Sequence, residues 1–204
     1  MAFILGTKEE MTQVFTEKGG AIPVTAIKTG PLTVTQVKTK EKDGYTAVQV
    51  GFGSKKENRI SKPMKGHLKG MGPFRFLREF RVTDGEWKTG DSILPTLFEE
   101  GDRVTVSGIT KGKGFQGVVK RHGFKGGPRT HGQKHSEREA GSIGGGGRAG
   151  GRVAKGMRMP GRMGADRVTV KNLKIVSIDA EGGVLYINGA VPGRRGTLLE
   201  IRSL

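Results

Sequence analysis

Lysines and arginines alternate with glycines between Lys111 and Gly164, in the run KGKGFQGVVKRHGFKGGPRTHGQKHSEREAGSIGGGGRAGGRVAKGMRMPGRMG. Of these 54 residues, 17 are glycine and 13 are Lys or Arg, while Glu137 and Glu139 are the acids. The stretch therefore carries +11 of a chain total of +17. Cationic side chains at this density do one kind of chemistry well: they donate charge-assisted hydrogen bonds to phosphate oxygens. Glycines between them let the backbone approach those phosphates closely. A plain linker would show Gly/Ser monotony, whereas here single basic residues, histidines, Phe and Met are interleaved. Phe115, Val118, Val119, Phe124, Ile143 and Val153 show neither helical nor strand periodicity. Such a segment is expected to bury too little to order itself and to be ordered by a polyanion. The composition is that of a strand threaded through folded RNA.

Residues 54–75 hold a second basic cluster: Lys55, Lys56, Arg59, Lys62, Lys65 and Lys69, with His67 among them. Ser61 is placed to cap a short helix through Met64, His67 and Leu68 to Gly70, with Pro63 in its first turn. A solvated helix face would explain this patch equally well in isolation. Beside the glycine-rich stretch it is expected to be a second RNA contact.

Other constellations fail on spacing. Gly112-Lys-Gly114-Phe-Gln-Gly117 matches GxGxxG after an expected strand, but a dinucleotide site needs a βαβ unit, a helix opening there and a later acid. The following VVKRHGFKGGPRTHG is not expected to form that helix. There is no GxxxxGK[ST], and the kinase HRD and DFG motifs are absent. His131 and His135 have i, i+4 spacing without the glutamate of HExxH, and no cysteine is available, so no metal site is expected. His122, His131 and His135 are read as stacking on, or bonding to, RNA. No nucleophile–base pair or carboxylate pair emerges, so no catalytic residue, cofactor or small-molecule substrate is expected.

The rest of the chain must position the basic stretch. Ala21–Lys28, Leu32–Lys38, Tyr45–Phe52, Phe76–Val82 and Arg103–Ile109 read as strands, as do Arg167–Asp179, Val184–Asn188 and Thr197–Arg202. Pro95–Glu100 reads as one helical turn, and Trp87 as a packing residue. Neither flank has enough strands alone, so residues 1–110 and 165–204 are expected to close one antiparallel barrel, with 111–164 inserted. No apolar run approaches a membrane span, the first residues lack a signal-peptide pattern, and the absence of cysteine suits a reducing cytoplasm.

Several separated stretches now agree on one family. LGTKEEMTQVF…GGAIPVTAI, RISKPMKGHLKG, LREFRV, VTVSGITKGKGFQGVVKRHGF, GSIG at Gly141–Gly144, KGMRMPGRMG at Lys155–Gly164 and VLYINGAVPG resemble the universal large-subunit ribosomal protein three family in its compact bacterial form. The resemblance runs in collinear order over essentially the whole chain. It implies a mainly β fold: a six-stranded antiparallel barrel related to domain two of translation factors, with a long basic loop and one or two short helices. It also implies a non-catalytic, cytoplasmic constituent of the large ribosomal subunit that binds 23S-type rRNA and acts early in assembly. The loop would extend towards the peptidyl transferase centre, with large-subunit proteins fourteen and nineteen as neighbours.

Under that reading Lys111, Lys113, Lys120, Arg121, Arg129, Lys134, Arg148, Arg152, Lys155, Arg158 and Arg162 are assigned to phosphates, joined by the Lys62, Lys65, His67 and Lys69 patch. Phe115 and the three histidines are assigned to stacking, and Gly112, Gly114, Gly117 and Gly164 to conformation. One departure stands out. Many members have a polar tip after GSIG, often with a glutamine that some bacteria methylate; this chain has Gly145-Gly146-Gly147-Arg148, and one residue more before KGMRMPG. Tip contacts and that modification are not carried over. The competing classes are a non-ribosomal RNA-chaperone or translation-factor-like barrel protein, and an RNA-acting enzyme, which would need an acid/base or metal constellation.

Overall fold

The computed structural model describes residues 2–15, 19–82, 87–145 and 150–204. The strands follow the apolar alternation of the sequence. They run β1 (Phe3–Phe15), β2 (Ala21–Thr29), β3 (Leu32–Lys38), then, after the single-turn helix α1 (Lys40–Asp43), β4 (Ala47–Ser54). Helix α2 (Lys62–His67) precedes β5 (Phe74–Arg81), β6 (Ser92–Ile93) and β7 (Arg103–Ile109). Next come β8 (Phe115–Gln116), helix α3 (Val118–His122) and β9 (Gly161–Arg162). The chain finishes with β10 (Arg167–Asp179), β11 (Val184–Asn188) and β12 (Leu198–Ser203).

Two compact units result, Met1–Ile109 with Arg167–Leu204, and Thr110–Asp166. In the first, six antiparallel strands close a barrel in the order β1-β12-β7-β10-β11-β2. Strand β7 shows why it closes: Val104, Val106 and Gly108 are buried while the residues between them face outward, the period-2 pattern of a strand with one covered face. Opposite them, Leu199 and Ile201 of β12 are fully buried. Each such side chain stabilises the fold by about 1.5–3 kcal/mol. Gly108 has to be small, because a Cβ there would lie 2.6 Å from Leu199 Cδ2.

The expected single barrel needs one correction. Strands β3, β4 and β5 do not enter it; with β6 they form a separate four-stranded sheet, ordered β5-β4-β3-β6. The sixth barrel strand is instead β1, whose Phe3, Ile4 and Leu5 are buried. The apolar runs of β3 and β4 fit either sheet, and strand pairing, which periodicity does not encode, decides between them. Both sheets share a core: Phe3 stacks on Phe80 of β5 at 4.4 Å, and Trp87 packs beside Phe3 at 5.4 Å.

A polar network crosses the outer side of the second sheet. Lys38 Nζ donates to Tyr45 OH (2.8 Å) and pairs with Glu79 (3.0 Å), and Tyr45 OH donates to the other Glu79 oxygen (2.9 Å). Its hydrogen bond to Tyr45, reinforced by Glu79, raises the Lys38 pKa; the hydrogen bond from Lys38 lowers that of Glu79. Gln49 donates to Glu79, so its Oε1 is left to accept, from Thr35 Oγ1 (2.9 Å) and His67 Nε2 (2.8 Å). The network thereby ties α2 to β4.

Candidate nucleic-acid interface

Strands β7 and β10 pair Ile109 with Arg167, so the chain leaves the barrel and returns at adjacent positions. Within the Thr110–Asp166 unit, the two chain ends are hydrogen-bonded to each other. Thr110 N donates to Asp166 O (2.9 Å), Lys113 N to Met163 O (2.9 Å) and Met163 N to Gly114 O (3.0 Å). Strands β8 and β9 then pair Phe115 with Arg162 and Gln116 with Gly161. Gly164 carries φ +76°, and a Cβ there would fall on the Lys111 carbonyl oxygen, so the crossing admits only glycine. Gly114 also has positive φ, at +69°. Gly112 and Gly117 differ from the expectation: a Cβ would meet open space at both, and neither lies in the left-handed region.

The base of this unit is more folded than composition suggests, which corrects the expectation that the stretch lacks internal order. A helix does open after Gly117: α3 runs five residues and stops at Gly123, whose amide donates to Val119 O (3.0 Å). Val118 is buried beneath it. The expectation that no helix forms here fails because one buried valine and two flanking glycines suffice for a single turn. The GxGxxG run still meets no dinucleotide geometry, since its neighbour β9 is antiparallel and two residues long.

The same base claims two expected RNA ligands. Arg121 Nη1 donates to Met159 O (2.7 Å), and His122 Nε2 donates to the same oxygen (3.0 Å). Both side chains thereby clamp the returning strand, and the His122 ring sits 6.0 Å from Phe124. In the second patch, α2 forms over Lys62–His67 behind Ser61, which makes no side-chain capping bond. His67 is committed to Gln49. Leu68 is buried while Lys62, Lys65 and Lys69 are exposed, so the helix anchors by one apolar residue and presents ammonium groups outward.

Apart from Arg129, the remaining assigned cations of the unit make no ion pair among the described residues. Lys111, Lys113, Lys120, Arg129, Lys134, Arg152, Lys155, Arg158 and Arg162 are all exposed, as are His131 and His135. Lys125 and Arg138 are equally exposed; they belong to the same alternation but were not among the residues singled out from the sequence. Among the described residues of this unit, one ion pair forms, Arg129 to Glu137 at 3.9 Å. Phe115 is 73 % exposed, with no ring contact among the described residues. Arg148, at the tip, lies outside the described residues. No group of three or more potential metal ligands occurs among the described residues.

An array of exposed cations with an exposed aromatic ring, carried on glycine-rich backbone, offers the donors that phosphate oxygens accept. Residues 83–184 match the family model described as ribosomal protein L3. Large ribosomal subunit protein uL3 of Herpetosiphon aurantiacus is 54 % identical over 200 residues, covering 97 % of this chain and 94 % of the relative. The uL3 proteins of Desulfitobacterium hafniense and Nocardia farcinica are 52 % and 50 % identical, over 98 % and 99 % of this chain and 94 % and 92 % of theirs. This chain, closed barrel and cationic insertion together, belongs to the ribosomal protein L3 family.

Proposed function

We propose that this chain is a structural constituent of the large ribosomal subunit that holds its place by direct contact with 23S-type rRNA. Family membership makes it a cytoplasmic ribosomal protein and not an enzyme. The finer reading assigns binding to two surfaces. Lys111, Lys113, Lys120, Arg129, Lys134, Arg152, Lys155, Arg158 and Arg162 of the insertion neutralise phosphates where RNA helices converge, with Phe115, His131 and His135 against unstacked bases. Lys62, Lys65 and Lys69 on α2 add a second contact. Arg121 and His122 act one step back, by fixing the strand that carries Arg158 and Arg162.

The observation that carries this reading is the exposure of those cations with a single carboxylate partner among them. Like charges at this density repel one another, so the free protein holds the segment at a cost that an RNA partner removes. Neutralising phosphates early in assembly, reaching towards the peptidyl transferase centre and lying beside proteins fourteen and nineteen are the remaining parts of the proposal. Sedimentation of a cell lysate tests it: the protein is expected at one copy per large subunit and retained through a salt wash. Release at moderate salt, with most of the protein free of subunits, would favour an RNA chaperone.

A further inference from the structure

The polar network beneath α2 ends on His67 and dictates which nitrogen of that ring carries a proton. Glu79 accepts a hydrogen bond from Lys38, which lowers its pKa and keeps it a carboxylate. A carboxylate oxygen can only accept, so the Gln49 atom 3.3 Å from Glu79 Oε1 is the amide nitrogen. Gln49 Oε1 is thereby turned to Thr35 Oγ1 and to His67 Nε2, at 2.9 and 2.8 Å. A carbonyl oxygen has no proton to give, so Nε2 is the donor. In a neutral imidazole one nitrogen holds the proton, and Nδ1 is left as an acceptor. The charge on Glu79 of β5 thus sets, through Gln49 of β4, the tautomer of a ring on α2.

No group of the helix uses that acceptor. The residues three and four positions before His67, which share its helical face, are Met64 and Pro63. Lys65 and Lys69 lie two positions to either side and point elsewhere around the turn. His67 is exposed, and Nδ1 makes no hydrogen bond among the described residues. The charged groups around the ring are Glu79 and Lys38 behind Gln49, with Tyr45 bonded to both, and Lys62, Lys65 and Lys69 along α2.

A lone pair set among ammonium donors has a polarity that a phosphate diester cannot satisfy, because its oxygens carry no proton. We infer that His67 Nδ1 accepts a hydrogen bond from a neutral donor of the nucleotide held at α2, a ribose 2′-OH or a base amino group. The inference rests on the reading of α2 as an RNA contact and gives that contact a second chemistry. Lys62, Lys65 and Lys69 supply affinity for phosphates of any nucleic acid. The imidazole adds a test of what hangs beside them, and a 2′-OH is the group that tells RNA from DNA.

Binding of the full chain to a large-subunit rRNA fragment, measured from about pH 8 down to about pH 5, tests this, since histidine gains its charge in that interval. Near pH 8, His67→Ala is expected to weaken binding about two- to tenfold, the loss of one neutral hydrogen bond. The gap to the unaltered chain should narrow on acidification, as a proton fills Nδ1. A gap that widens in acid would make His67 a cationic phosphate ligand and overturn the inference, as would no gap at either end. Lys65→Ala is the control, expected to weaken binding throughout the range. Its failure to do so would count against α2 as an RNA contact, whereas a Lys65 effect with the wrong His67 trend sinks the inference alone. Repeating the comparison with 2′-fluoro RNA separates the two donors: loss of the His67 effect assigns the ribose hydroxyl, and its persistence the base amino group. Nitrogen-15 NMR of the unsubstituted chain gives a readout that needs no variant. Near pH 8 it should show the His67 proton on Nε2; a proton on Nδ1, or an even mixture, would contradict the tautomer on which the site depends.

Discussion

Strand β7 and the segment that follows it treat their backbones in opposite ways. β7 is bonded on both sides, to β10 and to β12, and buries alternate side chains in a core shared by two sheets. Between Thr110 and Asp166 the paired backbone is confined largely to the first and last few residues, and Val118 is the buried hydrophobic residue among those described. The barrel is ordered by what it removes from water. The insertion is ordered at its base by a short ladder, one valine and two clamping donors, and beyond that carries charge instead of apolar surface. Stability and binding are therefore assigned to different residues of one chain, and substitutions should separate them.

The largest separation is expected from removing the insertion. Ile109 and Arg167 are antiparallel register partners, so a two-residue Asn-Gly turn can join them in place of residues 110–166. The shortened protein is expected to remain β-rich and to melt cooperatively, while losing most of its rRNA affinity and failing to support large-subunit reconstitution. An unfolded product would mean that the insertion belongs to the core.

A contrast between single substitutions comes next. Leu199→Ala opens space beside Gly108 and is expected to cost about 2–5 kcal/mol by denaturant unfolding. Lys155→Ala, on an exposed residue, is expected to stay within about 0.5 kcal/mol yet weaken rRNA binding. Equal effects of the two on stability would erase the distinction between the units.

The smallest effect concerns pH. The Glu79 pKa is lowered in the fold by its bond from Lys38, so its contribution is present above the unfolded carboxylate value and is lost as pH falls through the folded one. The Lys38 pKa is raised, so its contribution persists below the ordinary lysine value and disappears only in strong base. Glu79→Gln is therefore expected to lower the melting temperature near neutrality by no more than roughly 4 °C, with the gap to the unaltered protein closing on acidification. A gap that widens in acid would reverse the assigned sign.

The barrel strands were legible because their alternation is local: Arg103–Ile109, Arg167–Asp179 and Val184–Asn188 coincide with β7, β10 and β11. Which strands share a sheet was not. Runs such as Leu32–Lys38 carry the same period in either sheet, and partners far apart in sequence decide. In the insertion, the density of cations was plain, whereas the commitment of Arg121 and His122 to Met159 depends on a contact across 37 or more residues that no spacing encodes. Helix α3 escaped because a single buried valine leaves no periodic trace.

Salt dependence of binding reads the central claim most directly, since every phosphate neutralised by the chain releases counterions. Affinity of the full chain for a large-subunit rRNA fragment should fall with salt along a log–log slope of magnitude about 6 or more, at ~0.7–0.9 per phosphate. The chain with residues 110–166 replaced by a turn should lose most of that slope. A full-chain slope near −1, or the same steep slope with and without the insertion, would contradict the assignment of binding to its exposed cations.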